Sequence, residues 1–449
     1  MTSPLSSSDR DRIQTSAPIL YSLLRQVNPV SADEWTLILV KGGMFDKMFP
    51  LSEHVLEKTF AFFGIAISPS HLHYFLRLRH SFFLPPITDG THVDYPDDCE
   101  TPYKVLYPLA SGTFGKVEKV CLHANPKVVF ARKMLLHVSP DEEGRIQKEI
   151  FLLHQFKHPH SIPFYGSYTH REQIYLLFEL CDGNMRQFFS NPPRWFRDLS
   201  NPQKASKLIN WMIDLSTAIA DFHALQGVHR DLKPENILIK GDRLFIADFG
   251  LSTYGASLSN NLVSVNGTEA YMAPEQGHGC KSSRAVDVFA MGCIFIELLT
   301  FGQGISIKFF QEFRKYYGSG NCDFSSNLCY RHNLQAVSFF ILKYLRNKSV
   351  VLDPLLDLIE FDMLAYKPQL RRSARDVRLK LLKLTRGWDF FSKDGCCAGH
   401  NGRIIETGSS TKSLDPMSDC CPTANSDKME VDLGEVKGSL TTGLFSSLS

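Results

Sequence analysis

The sequence predicts an α+β chain in which strands come first and long helices follow, and two patterns carry that expectation. The runs "VVFARKML" and "IYLLFEL" are short, apolar and rich in β-branched and aromatic residues, as strands are. "KASKLINWMIDLSTAIADFHAL" and "AVDVFAMGCIFIELL" are too long for strands and read as helices. With 449 residues, 43% of them hydrophobic, the chain can build substantial cores in roughly two to four domains.

Ahead of the first strand, residues 1–100 contain "APILYSLLRQV", "EHVLEKTFAFFGIAI" and "HLHYFLRLRHSFF", whose apolar residues recur at the spacing of short helices. They predict a helical extension that ends in the turn-rich run "LPPITDGTHVDYPDDCETP". The aromatic-basic run "HLHYFLRLRHSFF" has residue types that stack on nucleic acid, but an amphipathic core helix explains it with fewer assumptions. After Trp388 the chain becomes too polar and glycine-rich to bury a core, which predicts a disordered tail over 389–449.

Charge and cysteine usage narrow the function classes. Forty-nine Lys and Arg against 47 Asp and Glu leave a net charge of +2, so no overall field draws the chain to nucleic acid or to an anionic membrane. The opening "MTSPLSSSDRDRIQ" has neither the apolar core of a secretory signal nor the acid-free composition of a transit peptide. No uninterrupted apolar run reaches membrane-spanning length; the richest, "VFAMGCIFIELLTF", is broken by Glu297. The eleven cysteines are scattered and odd in number, and the doublets Cys396-Cys397 and Cys420-Cys421 lack a C-x-x-C spacing. These features predict an intracellular protein, cytoplasmic or nuclear, with reduced thiols and no nucleic-acid or membrane partner.

The chemistry is carried by five stretches. In "PLASGTFGKVEKV", Gly112 and Gly115 lack the Cβ that keeps a backbone amide away from a phosphate oxygen, while Ala110 stands where a third glycine completes the usual pattern. Eighteen residues after Gly115, "FARKM" sets Lys133 in an apolar strand, where a lone lysine reads as an edge residue with its ammonium in water. A counter-charge in the helical stretch "EEGRIQKEIFLLHQF", Glu149, changes that reading, since an ion pair holds the lysine where it meets the α- and β-phosphates of a nucleotide. "VHRDLKPENILI" supplies Asp231 to orient a hydroxyl and accept its proton, Lys233 to neutralise a γ-phosphate and Asn236 as a metal ligand; "IADFGLS" adds Asp248 as the metal carboxylate. Phosphoryl transfer needs cations and an aligned nucleophile more than covalent chemistry, and this set provides both.

In this order and spacing the motifs resemble a eukaryotic protein kinase domain over residues 103–385. "AYMAPE" at Ala270–Glu275, "DVFAMGC" with Asp287 and "KPQLRRSA" with Arg371 continue the series, and the "HRDLKPEN" form resembles the serine/threonine branch. The resemblance implies a bilobal fold, with a small β-rich lobe and a large helical lobe, and ATP and Mg2+ as cofactors. It implies protein substrates with Ser or Thr acceptors. By the same resemblance Val117, Ala131 and Leu238 sandwich adenine, and Phe178 is the gatekeeper before a hinge whose backbone at Glu179 and Cys181 faces the base. Leu153, Phe249 and His229 belong to a regulatory stack, Asp287 sits under the catalytic loop, and Glu275 pairs with Arg371. Thr268 bonds to Asp231 and Lys233, again by resemblance.

Ala110 adds one methyl at the strand end while the phosphate-facing glycines remain, so the sequence predicts an active serine/threonine kinase. The alternative is a pseudokinase scaffold that binds nucleotide without catalysis; a small-molecule phosphotransferase fits "AYMAPE" less well. Regulation is expected through Arg230, beside Asp231, which needs an anion: Ser264, once phosphorylated, supplies one, and Arg145 joins it on the helical face of Glu149. The competing reading of Ser264 is an ordinary loop serine. Between Asp287 and Arg371 the chain is long for the family, with an insertion near 303–333. Helical segments before such a domain also resemble some kinases of filamentous fungi, and residues 1–100 read either as a structural extension or as a partner-binding unit.

Overall fold

The computed structural model describes residues 6–46, 53–83, 86–87, 90–97, 100–112, 115–135, 149–254, 269–278, 283–318, 328–348, 351–386 and 388. The expected tail, 389–449, lies outside the described residues.

The N-terminal region is helical, with α1 (Ser7–Ser16), α2 (Pro18–Val27), α3 (Ala32–Lys41), α4 (Glu53–Phe62) and α5 (Pro69–Phe83). Each start has a local cause. Ser6 caps α1 by accepting a hydrogen bond from the Asp9 amide, and Pro18 opens α2, where the missing N–H has no partner to lose. The Asp46 carboxylate then accepts from the amides of Ile19 and Leu20 at 2.9 and 2.8 Å, bringing the end of α3 back to the start of α2. Leu20, Leu23, Leu24 and Val27 line one face of α2 and pack with Trp35, Leu39, Phe60, Phe75, Leu78 and Phe82 in a core of their own. The aromatic-basic run of α5 is therefore an amphipathic core helix, as the simpler reading expected.

Next comes a six-stranded sheet in the order β1-β5-β6-β4-β3-β2, formed by β1 (His92–Asp94), β2 (Tyr103–Gly112), β3 (Gly115–Leu122), β4 (Val129–Leu135), β5 (Phe164–His170) and β6 (Gln173–Phe178). All pairs are antiparallel except β1 with β5. The turn-rich run that ends the N-terminal segment thus contributes an edge strand to this lobe, where the sequence predicted turns alone. Three residues paired on a neighbour's edge carry too weak a periodicity to stand out in the sequence. The outer face of the sheet buries Tyr103, Val120, Phe130, Tyr168 and Leu177 under Ile87 and Tyr95, with Tyr103 and Tyr168 stacked at 5.2 Å.

The second lobe is helical, around α7 (Asn201–Ala224) and α8 (Ala285–Gly302), with α6 (Met185–Ser190) beside the hinge and α9 (Ile307–Gly318) and α11 (Ala374–Leu384) outside. Ser200 and Gln203 form a reciprocal capping box that starts α7. Helix α8 is apolar all round because it runs through the middle of the lobe. It is the one described helix long and apolar enough to cross a membrane, and its burial accounts for that composition. The insertion near 303–333 is in part core: Phe310, Phe313 and Tyr330 pack with Phe340, where α10 (Leu334–Phe340) begins the next turns. The core of this lobe continues into the first through Leu135, Leu152, Leu153 and Leu176.

Candidate active site

The glycine turn joins β2 and β3, where Gly112 pairs with Gly115 and Ala110 pairs with Val117 inside the strand ladder. Gly115 has φ +134°, and a Cβ there would stand 2.1 Å from the Met134 carbonyl oxygen. Glycine is required at this position on both counts. Ala110 is exposed, so its methyl meets little.

Lys133 is not an edge residue. Its strand, β4, lies between β3 and β6, and its ammonium is almost buried, bonded to Glu149 Oε1 at 2.8 Å and to Asp248 Oδ1 at 3.0 Å. Burial works against that charge, but the two carboxylates outweigh it and hold the Lys133 pKa above the ordinary lysine value. For Asp248 burial also opposes the charged form, and Lys133 more than offsets it, so its pKa lies below the usual aspartate value. Glu149 sits in the helical residues 149–155, whose Leu152 and Leu153 face the core. Phe249 is buried, with its ring 5.2 Å from His229, 5.4 Å from Phe222 and 5.9 Å from Phe156.

The loop after β8 (Gly227–Val228) gathers Asp231, Lys233 and Asn236. Lys233 Nζ donates to Asp231 Oδ2 at 2.7 Å, and Asn236 Nδ2 donates to the Asp231 carbonyl and carboxylate at 2.8 and 3.0 Å. The amide nitrogen of Asn236 being committed inside the loop, its carbonyl oxygen is the end offered to a cation. Asp287, in the first turn of α8, holds the loop from below. Its carboxylate accepts from the backbone amides of His229 and Arg230, both at 2.8 Å, and meets His223 Nε2 at 2.8 Å. Burial alone would raise its pKa, but His223 and these donors bring it below the usual value. Such anchoring is needed because Arg230 and Asp248 both adopt left-handed backbone, at φ 72° and 66°, each at a cost of about 1–3 kcal/mol.

Arg230 itself is half-buried, and its Nε has no hydrogen-bond partner among the described residues. Burial pushes its pKa down, with Asp287 partly compensating. Of the other expected regulatory residues, Ser264, Thr268 and Arg145 lie outside the described residues. Glu275 and Arg371 come together as a buried bidentate pair, Nη1–Oε1 2.6 Å and Nη2–Oε2 2.9 Å.

At the cleft between the lobes, Ala131 is paired with Phe178 across β4 and β6, and Val117 with Lys133 across β3 and β4; Ala131 and Val117 are both half-buried. Leu238, half-buried, lies in β9 (Ile237–Lys240) opposite Asn184 of β7 (Gly183–Asn184). After Phe178 the amide of Glu179 donates to the Pro163 carbonyl at 3.0 Å, and its carboxylate takes Lys240 at 2.6 Å and the Tyr165 hydroxyl at 2.9 Å. Burial, then the Glu179 charge, pushes the Cys181 thiol up to about 12, so it stays protonated.

Sequence reasoning missed a second polar cluster beside the loop. Arg186 of α6 bonds to Glu235 Oε1 at 2.9 Å, reaches the fully buried Glu297 and donates to the Tyr271 hydroxyl; Glu297 in turn accepts from Tyr271 and Tyr330. Arg314 of α9, with its guanidinium 3.6 Å above the Tyr330 ring, closes it. Glu235 and Tyr271 lie in the runs "VHRDLKPENILI" and "AYMAPE", but the six residues come from six separate places in the chain, so no single stretch signals the cluster.

Among the described residues no group of three or more His, Cys, Asp or Glu is arranged to hold a metal. The expected metal ligands, Asn236 and Asp248, offer two oxygens, the donor type that would fit a hard divalent cation completing its shell with phosphate and water. Residues 103–379, more than half of the chain, match the family model described as protein kinase domain. The chain is similar to cyclin-dependent kinase F-4 of Oryza sativa subsp. japonica, 31% identical over 199 residues, 44% of this chain and 42% of that protein. It is also similar to the carbon catabolite-derepressing protein kinase of Saccharomyces cerevisiae, 30% identical over 218 residues, 47% and 32% of the two chains. Aurora/IPL1-related protein kinase 2 of Caenorhabditis briggsae is 28% identical over 205 residues, 44% and 63%. The chain spans less than two thirds of the length of each of these relatives.

Proposed function

This chain belongs to the protein kinase family, and on that premise we propose that it transfers the γ-phosphate of Mg-ATP to serine and threonine hydroxyls of protein substrates inside the cell. The observation that carries the reading is the joint state of the cleft: Lys133 is within 2.8 Å of Glu149 and 3.0 Å of Asp248 while Phe249 is buried against His229. Each half of the site is then set for nucleotide at once.

On this reading Val117, Ala131 and Leu238 enclose adenine, and the hinge backbone at Glu179 and Cys181 bonds its edge. Gly112 and Gly115 let the turn close over the phosphates, and Lys133 turns its ammonium to the α- and β-phosphates. Asn236 and Asp248 hold magnesium, which supplies charge neutralisation at the phosphates. Asp231 orients the acceptor hydroxyl and takes its proton, and Lys233, already 2.7 Å from Asp231, neutralises the γ-phosphate as the bond to the acceptor oxygen forms and the bond to the β–γ bridging oxygen breaks, releasing ADP. The half-buried guanidinium of Arg230 supports a further element, an activating phosphate on Ser264 that Arg145 joins, while Thr268 bonds to Asp231 and Lys233.

Purified protein with labelled ATP, magnesium and a generic basic protein tests the reading. Label on serine and threonine, lost in Asp231→Asn, is expected; equal background in both proteins would leave a nucleotide-binding scaffold. Phosphate mapping of the same preparation is expected to find Ser264 modified and Ser264→Ala poorly active. Full activity of that variant, with Ser264 unmodified in the unaltered protein, would remove the switch.

A further inference from the structure

We propose that residues 86–87 and 90–97 are parts of a strap that positions the helix carrying Glu149, acting through the seat of Gly90 against His154. The inference rests on the kinase reading above, because Glu149 serves phosphoryl transfer only through Lys133.

The strap is part of the sheet. The Gly90 amide donates to the Tyr165 carbonyl at 2.8 Å, the Ser167 amide donates to Thr91 at 3.0 Å, and the Tyr95 amide donates to Thr169 at 2.9 Å, so the segment runs parallel to β5 with His92, Val93 and Asp94 opposite Ser167, Tyr168 and Thr169. Side chains add to the clamp. His92 Nδ1 lies 2.8 Å from Ser167 Oγ, and Asp97 accepts from the Arg171 amide at 2.7 Å. Ile87, buried, donates its amide to the Tyr103 hydroxyl at 2.9 Å.

Two glycines permit this close approach. Gly166 has φ +142°, and a Cβ there would meet Ile87 Cγ2 at 2.3 Å and the Thr91 carbonyl at 2.5 Å; any side chain on β5 at this point would push the strap off. Gly90 has φ +86°, and a Cβ there would stand 2.8 Å from His154 Cε1. The strap therefore lies directly on the His154 ring, which also packs edge-on to Phe164 at 5.3 Å.

His154 is five residues from Glu149 on the same helical stretch, about 7.5 Å along its axis. Behind the seat is a cavity of about 350 Å3 lined by Gly90, Leu153, His154, Phe156, His158 and Phe164. On that side His154 meets the strap and Phe164, while Leu153 and Phe156 pack into the core. A helix moves as a stiff body, and an outward shift at His154 is carried to an ion pair held at 2.8 Å. The strap, outside the matched residues 103–379, is on this account a positioning element for the site within them.

Gly90→Ala, His154→Ala and the double variant in the full chain test the proposal. Hydrogen exchange over 149–156 is measured beside the KM for ATP, the kcat and the melting temperature. Faster exchange in 149–156 and a rise of about fivefold or more in the KM for ATP are expected for Gly90→Ala. His154→Ala is expected to loosen the same peptide, and the double variant to be no worse than Gly90→Ala, since both act on one contact. Unchanged exchange and KM in folded Gly90→Ala would overturn the proposal, as would additive effects. Should Gly90→Ala not fold, His154→Ala alone decides: unaltered exchange over 149–156 rejects the strap. If the unaltered protein transfers no phosphate, the kinase reading fails while the exchange measurement still judges the strap.

Discussion

Replacing Arg371 by alanine is expected to destabilise the helical lobe by about 3–5 kcal/mol, the usual consequence of leaving a buried charge without its partner. Arg371 is fully buried in its side chain, and Glu275 nearly so. All five guanidinium N–H groups are matched: two bonds go to Glu275 at 2.6 and 2.9 Å, and three go to the carbonyls of Ala365, Ala285 and Tyr366 at 2.7, 3.1 and 3.0 Å. The guanidinium also lies 4.9 Å from the centre of the Phe289 ring. Alanine strands a carboxylate and three carbonyls together. Lysine keeps the charge but has three donors on a compact head, so Arg371→Lys loses at least two of the five bonds, about 2 kcal/mol. The assay is urea unfolding followed by tryptophan fluorescence, with Trp211 buried in the same core as the reporter. At an ordinary slope, a loss of that size lowers the midpoint by about 1 M or more. Replacing both partners by apolar residues is expected to recover part of the loss, since no charge is then stranded. A loss below about 1 kcal/mol in Arg371→Ala would refute the reasoning, showing that the pair's surroundings admit water or relax around the lone carboxylate.

Two other outcomes follow from the geometry. Ala110→Gly is expected to change the KM for ATP by less than about tenfold, because the Ala110 methyl is exposed; Gly115→Ala is expected to raise it by about tenfold or more, since its Cβ would collide with the Met134 carbonyl. Nucleotide-binding titrations of both variants decide, and a large gain in Ala110→Gly would mean that the natural turn is crippled. His123 is buried against Phe82, and burial, with Lys104 adding, holds its pKa down at about 4. Between about pH 4 and the unfolded value near 6.5 the unfolded chain binds a proton that the folded chain does not, so stability falls as pH drops through that window, by up to about 3 kcal/mol. Thermal melts at about pH 7 and pH 5 should separate more in the natural protein than in His123→Phe; equal separation would show that His123 is not the group responsible.

The order of strands and helices was legible along the chain because each element carries its own apolar pattern, as in "VVFARKML" and "KASKLINWMIDLSTAIADFHAL". The candidate site was legible in part for a different reason: under the proposed function, phosphoryl chemistry restricts which residue types can stand at Lys133, Asp231, Asn236 and Asp248, so local words such as "HRDLKPEN" can be recognised in the sequence. Whether those words assemble was a tertiary matter. Lys133 and Asp248 are 115 positions apart and meet at 3.0 Å only because β4 lies inside the sheet and Phe249, next to Asp248, is packed against Phe156, Phe222 and His229. Asp287 can hold the left-handed backbone at Arg230 only because α8 runs through the middle of the lobe, with Asp287 in its first turn. The strand at His92–Asp94 and the buried Arg314 left no mark in the sequence, since a three-residue pairing has no period and an arginine reads as solvent-facing until a neighbour's ring covers it. Contacts made across the chain depend on the packing of all the elements at once, and no single stretch of sequence contains that information.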